Sequence, residues 1–146
     1  MVRLLLCMFN VALLLLVAVR LFNAPITGPL IWAYAILLAQ CLTGLTHGMM
    51  ISALCADFFM AAVLSNGVLL MMFIMSGVLW PVESLPRILR YFSLVQPTTL
   101  PTESLRWILS KGHDIYEPNV YRGFAISLFY CVTFFVLSAI IFRTKR

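Results

Sequence analysis

The chain has 146 residues, of which 63% are hydrophobic and 10% charged, and its mean hydropathy is +1.04. That composition excludes a water-soluble globular domain and makes lipid the solvent for most of these side chains. The net charge of +5 reads as membrane topology and headgroup contact, since nucleic-acid binding would need a basic face on a folded soluble surface.

Four runs, residues 4–22, 30–54, 58–80 and 123–142, each approach or exceed the roughly 20 residues that cross a bilayer core as a helix. The expected protein is therefore an all-α, multi-pass membrane protein with four transmembrane helices. Arg3 ahead of the first run imitates a signal peptide, but the run is long and ends in Arg20-Leu21-Phe22-Asn23 rather than at a small-residue cleavage site, which favours a span. The tail Arg143-Thr144-Lys145-Arg146 sets three cations against the last run, so the positive-inside rule puts it in the cytoplasm. Four crossings return the N-terminus to the same side. Arg20 then sits at the outer interface, where its long side chain can snorkel.

The connections are unequal. Pro25, Gly28 and Pro29 break the chain between the first two spans, and Cys55-Ala56-Asp57 makes a tight turn between the second and third, with Asp57 placed to cap the third. Residues 81–122 are too long for a bare connector. Within them Leu85, Ile88, Leu89, Phe92 and Val95 share one helical face and Arg87, Arg90 and Tyr91 the other, with Ser84 as N-cap and Pro86 in the first turn. A second short helix fits residues 101–111, with Leu105, Ile108 and Leu109 on its apolar side, Gly112 as its stop and Trp107 suited to the bilayer interface. Two short amphipathic helices are thus expected on, or dipping into, the outer membrane face.

The run Ser76-Gly77-Val78-Leu79-Trp80-Pro81-Val82-Glu83-Ser84-Leu85-Pro86, followed by Leu89-Arg90-Tyr91, Pro97, Glu103-Ser104, Arg106 and Lys111-Gly112, resembles the last third of an ABC-2 type transmembrane domain. It is most similar to G-type and H-type half-transporters of animals, particularly insect forms. The likeness is specific over residues 40–142 and sharpest over 76–112.

The resemblance implies the membrane-spanning permease portion of an ATP-driven ABC exporter that moves lipid-like or amphipathic cargo by alternating access. It also implies partners: a nucleotide-binding domain, a second half-transporter in a homo- or heterodimer, and the lipid bilayer of the plasma membrane. No Gly-x-x-x-x-Gly-Lys-Ser/Thr loop occurs here, so the chain is not expected to be an enzyme, and ATP and Mg are expected on the nucleotide-binding domain of the complete transporter. The chain corresponds to spans three to six of the family's six and is expected to be a fragment that does not transport alone.

By the same resemblance Val78 and Leu79 form an outer plug, beneath which Asn66, Leu70 and Phe73 face a substrate cavity. Helix geometry is compatible, since 66, 70, 73 and 77 share one face. The bland reading is lipid-facing or helix-packing side chains. Asn66 stands out, because an amide in hydrocarbon loses hydrogen bonds at roughly a few kcal/mol. His47 invites a metal or proton-relay role, but Gln40, Thr43 and Thr46 are nearer as hydrogen-bond partners and structural packing is the expectation. Gly44 and Gly48 form a small-x-x-x-small pair, expected to pack within the bundle. Glu83 and Glu103 sit at expected helix starts, in reach of Arg87 and Arg106, and Met71, Met72 and Met75 read as adaptable packing.

Competing classes fit less well. A four-span scaffold of the tetraspanin or claudin sort would need outer-loop cysteines, whereas Cys7, Cys41, Cys55 and Cys131 lie in or beside spans. An intramembrane enzyme would need paired catalytic groups, and a channel subunit a ring of polar residues.

Overall fold

The structure, a computed structural model, describes residues 2–20, 28–76, 84, 86–112 and 116–145. Six helices follow one another, α1 (Val2–Arg20), α2 (Leu30–Leu54), α3 (Phe58–Met75), α4 (Arg87–Val95), α5 (Thr99–Lys111) and α6 (Pro118–Thr144), with no strand among the described residues. Helices α1, α2, α3 and α6 are long and apolar enough to cross a membrane, so the all-α membrane fold expected from hydropathy is the one that forms. Residues 77–80, the expected end of the third span, lie outside the described residues. Helix α6 begins ahead of its hydrophobic run because Pro118 occupies the first turn, where a missing N–H costs no intrahelical bond.

Helices α2 and α6 run parallel and form the spine. Midway, the Thr43 hydroxyl lies 2.9 Å from the Ala39 carbonyl of its own helix and 3.0 Å from the Ser127 carbonyl of α6. Ser127 in turn donates to the Gly123 carbonyl at 2.8 Å. At the end where Arg3 and Phe142 meet, which carries the start of α1 and the end of α6, Lys145 Nζ donates to the Leu54 carbonyl at 2.9 Å. That carbonyl belongs to the last turn of α2, which has no intrahelical donor left to offer it.

The opposite end holds the core. Ala33 and Ile36 of α2, Ile108 of α5 and Val120 of α6 are buried together, with Leu15, Trp32, Leu105, Trp107, Leu109 and Phe124 packed around them. Helix α5 is therefore a wedge driven between the tops of α2 and α6 rather than a helix resting on the bilayer. Its apolar side, read correctly from Leu105, Ile108 and Leu109, faces protein. The approach to α6 is close enough that a Cβ on Gly123 would collide with the Ser104 hydroxyl and come within 2.7 Å of the Ser104 Cβ. Gly112 ends α5 in the left-handed conformation, φ 68°, donating its N–H to the Ile108 carbonyl.

Helix α4 is the opposite case. Ile88, Tyr91, Phe92 and Val95 are exposed, Ile88 at 73%, so this helix keeps an uncovered apolar face of the kind that lies in a bilayer interface. Its N-cap position is held by Pro86 rather than Ser84. Helix α3 buries none of its residues. It joins α2 through the turn at Cys55–Asp57, where Asp57 has the extended backbone of an N-cap residue but its carboxylate makes no capping bond.

Candidate functional site

A cavity of about 320 Å³ opens between α2, α3 and α6 beneath the α4–α5 turn. Helix α2 contributes Gln40, Thr43, Gly44, His47 and Gly48, one stripe at helical spacing. Helix α3 brings Ser65, Leu69, Met72 and Phe73, α6 brings Phe134, and the roof is Pro97, Thr98 and Thr102. Hydroxyls, an amide and an imidazole thus alternate with leucine, methionine and phenylalanine walls, a lining suited to a molecule with both polar and apolar parts.

Of the three residues expected to face a substrate cavity, Phe73 lines this one. Asn66 and Leu70 lie on the adjoining stripe of α3, one residue out of phase, and are exposed. Asn66 Nδ2 donates to the Ala62 carbonyl at 3.0 Å, within its own helix. The stripe of 66, 70 and 73 therefore looks outward from this chain, and Phe73 stands on the boundary between the two faces. Val78 and Leu79 lie outside the described residues.

The polar residues of α2 behave differently from expectation. Gln40 Nε2 donates to the Pro97 carbonyl at 2.7 Å, and Thr46 bonds the carbonyls of Leu42 and Thr43. Their hydrogen bonds go to backbone, and His47 packs against Phe134, ring centroids 5.0 Å apart and tilted by 44°. Nor do Gly44 and Gly48 admit a close helix neighbour, because a Cβ on either would meet nothing within 4 Å. They open space in the cavity wall instead.

The roof is fastened from three sides. Besides Gln40, Tyr130 of α6 donates its hydroxyl to the Val95 carbonyl, and Ser93 Oγ donates to the Met75 carbonyl at 2.6 Å, across to the end of α3. Tyr130 stacks on Phe134 at 5.6 Å, so an aromatic row runs from the roof to His47. In the roof itself, Thr98 Oγ1 and Gln96 Oε1 are buried without a hydrogen-bond partner. The sequence carries a signal for this wall: Gln40, Thr43 and His47 repeat at three- and four-residue steps, and such a polar stripe in a span lines something other than lipid.

The family of ABC-2 type transporters matches residues 1–110 of this chain. A curated relative, ABC transporter G family member 20 of Dictyostelium discoideum, is 29% identical over 140 residues, which cover 96% of this chain. The chain spans 19% of that relative's length. No solved structure matches it significantly.

Proposed function

The chain belongs to the ABC-2 type transporter family and is an integral membrane permease portion of such a transporter; from that premise we propose that it exports lipid-like or amphipathic cargo by alternating access. ATP hydrolysis is supplied by a nucleotide-binding domain, since this chain holds no phosphate-cradling loop. Both chain ends face the cytoplasm and the α4–α5 end faces outward, at the plasma membrane. The chain is a fragment of the working transporter, which needs a second half-transporter to enclose its path.

The observation that carries this reading is the uncovered stripe of α3. Asn66 and Leu70, the latter at 63% exposure, are uncovered by the rest of the chain, and Phe73, 47% exposed, stands at the edge between this stripe and the cavity. In a bilayer the Asn66 amide, whose bond among the described residues is to its own helix, would face hydrocarbon at a cost of roughly a few kcal/mol. A second half-transporter opposite α3 removes that cost and encloses a mostly apolar path with one amide in its wall. Cargo would leave past Val78 and Leu79.

The test is efflux from the transporter assembled with its nucleotide-binding domain, carrying Asn66→Leu, Phe73→Ala or Leu79→Ala. The expected result is a severalfold change in rate or a shifted cargo profile for each, with ATP hydrolysis retained. Wild-type rate and profile in all three would rule the path out.

A further inference from the structure

A second cleft, of about 420 Å³, lies at the α4–α5 end, away from the membrane cavity. Arg90 and Leu94 of α4, Glu103, Arg106, Trp107, Ser110 and Lys111 of α5, and Asn119 at the start of α6 form its walls. Three cations stand there against one carboxylate. Lys111 Nζ sits 3.4 Å from the Trp107 ring centroid, which orients the ammonium without neutralising it. No ion pair engages Arg90 among the described residues. The first turn of α6 adds the positive end of a helix dipole beside Asn119.

This cleft adjoins the uncovered apolar face of α4. Arg90 and Leu94 occupy one face of α4, and the next face round is the exposed row Ile88, Tyr91, Phe92 and Val95. Trp107 is the residue type that marks headgroup depth. The basic cleft and the apolar face therefore meet at one level, where a phospholipid presents its phosphate beside its first methylenes.

We propose that the cleft formed by Arg90, Arg106 and Lys111 binds the phosphate of a membrane phospholipid, anionic headgroups preferred, with the acyl chains lying along Ile88, Phe92 and Val95. The site is distinct from the transport path. It needs neither ATP nor a second half-transporter, so its failure and the failure of the export reading are separable.

The experiment reconstitutes the full chain in nanodiscs of phosphatidylcholine mixed with phosphatidylglycerol, and counts lipids retained on release by native mass spectrometry. Phosphatidylglycerol should be enriched over phosphatidylcholine. The double variant Arg90→Gln, Lys111→Gln should weaken that retention on the order of tenfold. Arg90→Lys, which keeps the charge, should largely preserve it, as should Arg122→Gln, an exposed cation outside the cleft. Helical circular dichroism of each variant confirms that the fold is retained. Inorganic phosphate added in excess should not displace the lipid; displacement would assign the cleft to a free anion and overturn the proposal. Equal retention of the two lipids, or undiminished retention in the double variant, would overturn it as well.

Discussion

Gln40 is the side chain on which the roof of the membrane cavity depends most directly. Its amide reaches from α2 to the Pro97 carbonyl at 2.7 Å, at a bend where the proline ring bars that residue from donating in return. Replacing it by leucine removes the donor and leaves the carbonyl in a largely buried setting with no compensation, a loss of about 1–3 kcal/mol. Gln40→Leu should lower the thermal unfolding midpoint of the detergent-solubilised chain, whereas Gln40→Glu, which keeps the length but replaces the NH2 donor, should do the same. An unchanged midpoint in both would mean the bond carries no load. The His47 ring lies on Phe134, in keeping with a packing role. Spacing along a helix reveals which residues share a face but not where their hydrogen bonds go: Gln40 and Thr43 reach the remote carbonyls of Pro97 and Ser127, while Thr46 bonds carbonyls of its own helix.

At the scale of elements, glycine decides how closely helices approach, and the chain offers a direct comparison. Gly123 faces Ser104 of α5, whose hydroxyl is held by the carbonyls of Leu100 and Asn119 at 2.9 and 2.7 Å and so cannot easily swing aside. Gly67 in α3 faces open space within 4 Å. Gly123→Ala should therefore destabilise by about 1–3 kcal/mol through overpacking, while Gly67→Ala should be neutral or stabilise by up to about 1 kcal/mol through helix propensity. The thermal melt of Gly123→Ala should fall while that of Gly67→Ala stays level or rises; a fall in both would contradict the packing described. The four spans and the amphipathic character of both short helices were legible in hydropathy and in the 3.6-residue period. What periodicity left open was the medium each apolar face meets. Helix α5 buries Ile108 against Ala33, Ile36 and Val120, while α4 leaves Ile88 and Phe92 uncovered, and the two patterns look alike along the chain. The start of α6 was missed by five residues because the hydropathy of Pro118–Arg122 is low, although Pro118 was a usable signal.

For the whole molecule, orientation in the membrane is the premise of any directional transport. Tyr116, 93% exposed, lies at the α4–α5 end, and Asp57 lies at the end that carries Arg3 and Lys145. With the native cysteines replaced, Tyr116→Cys should react with a membrane-impermeant maleimide in intact cells and Asp57→Cys only after permeabilisation. The reverse pattern would invert the direction of export. The spine of the molecule is braced at both heights, by Lys145 on Leu54 at one end and by Gln40 and Tyr130 on the roof at the other. Among the described residues, α3 is tied by the turn at Cys55–Asp57 and by the Ser93 bond to its last turn. The arrangement is that of a door in a frame: two braced posts, a short turn at the sill and, among the described residues, one serine latch under the lintel.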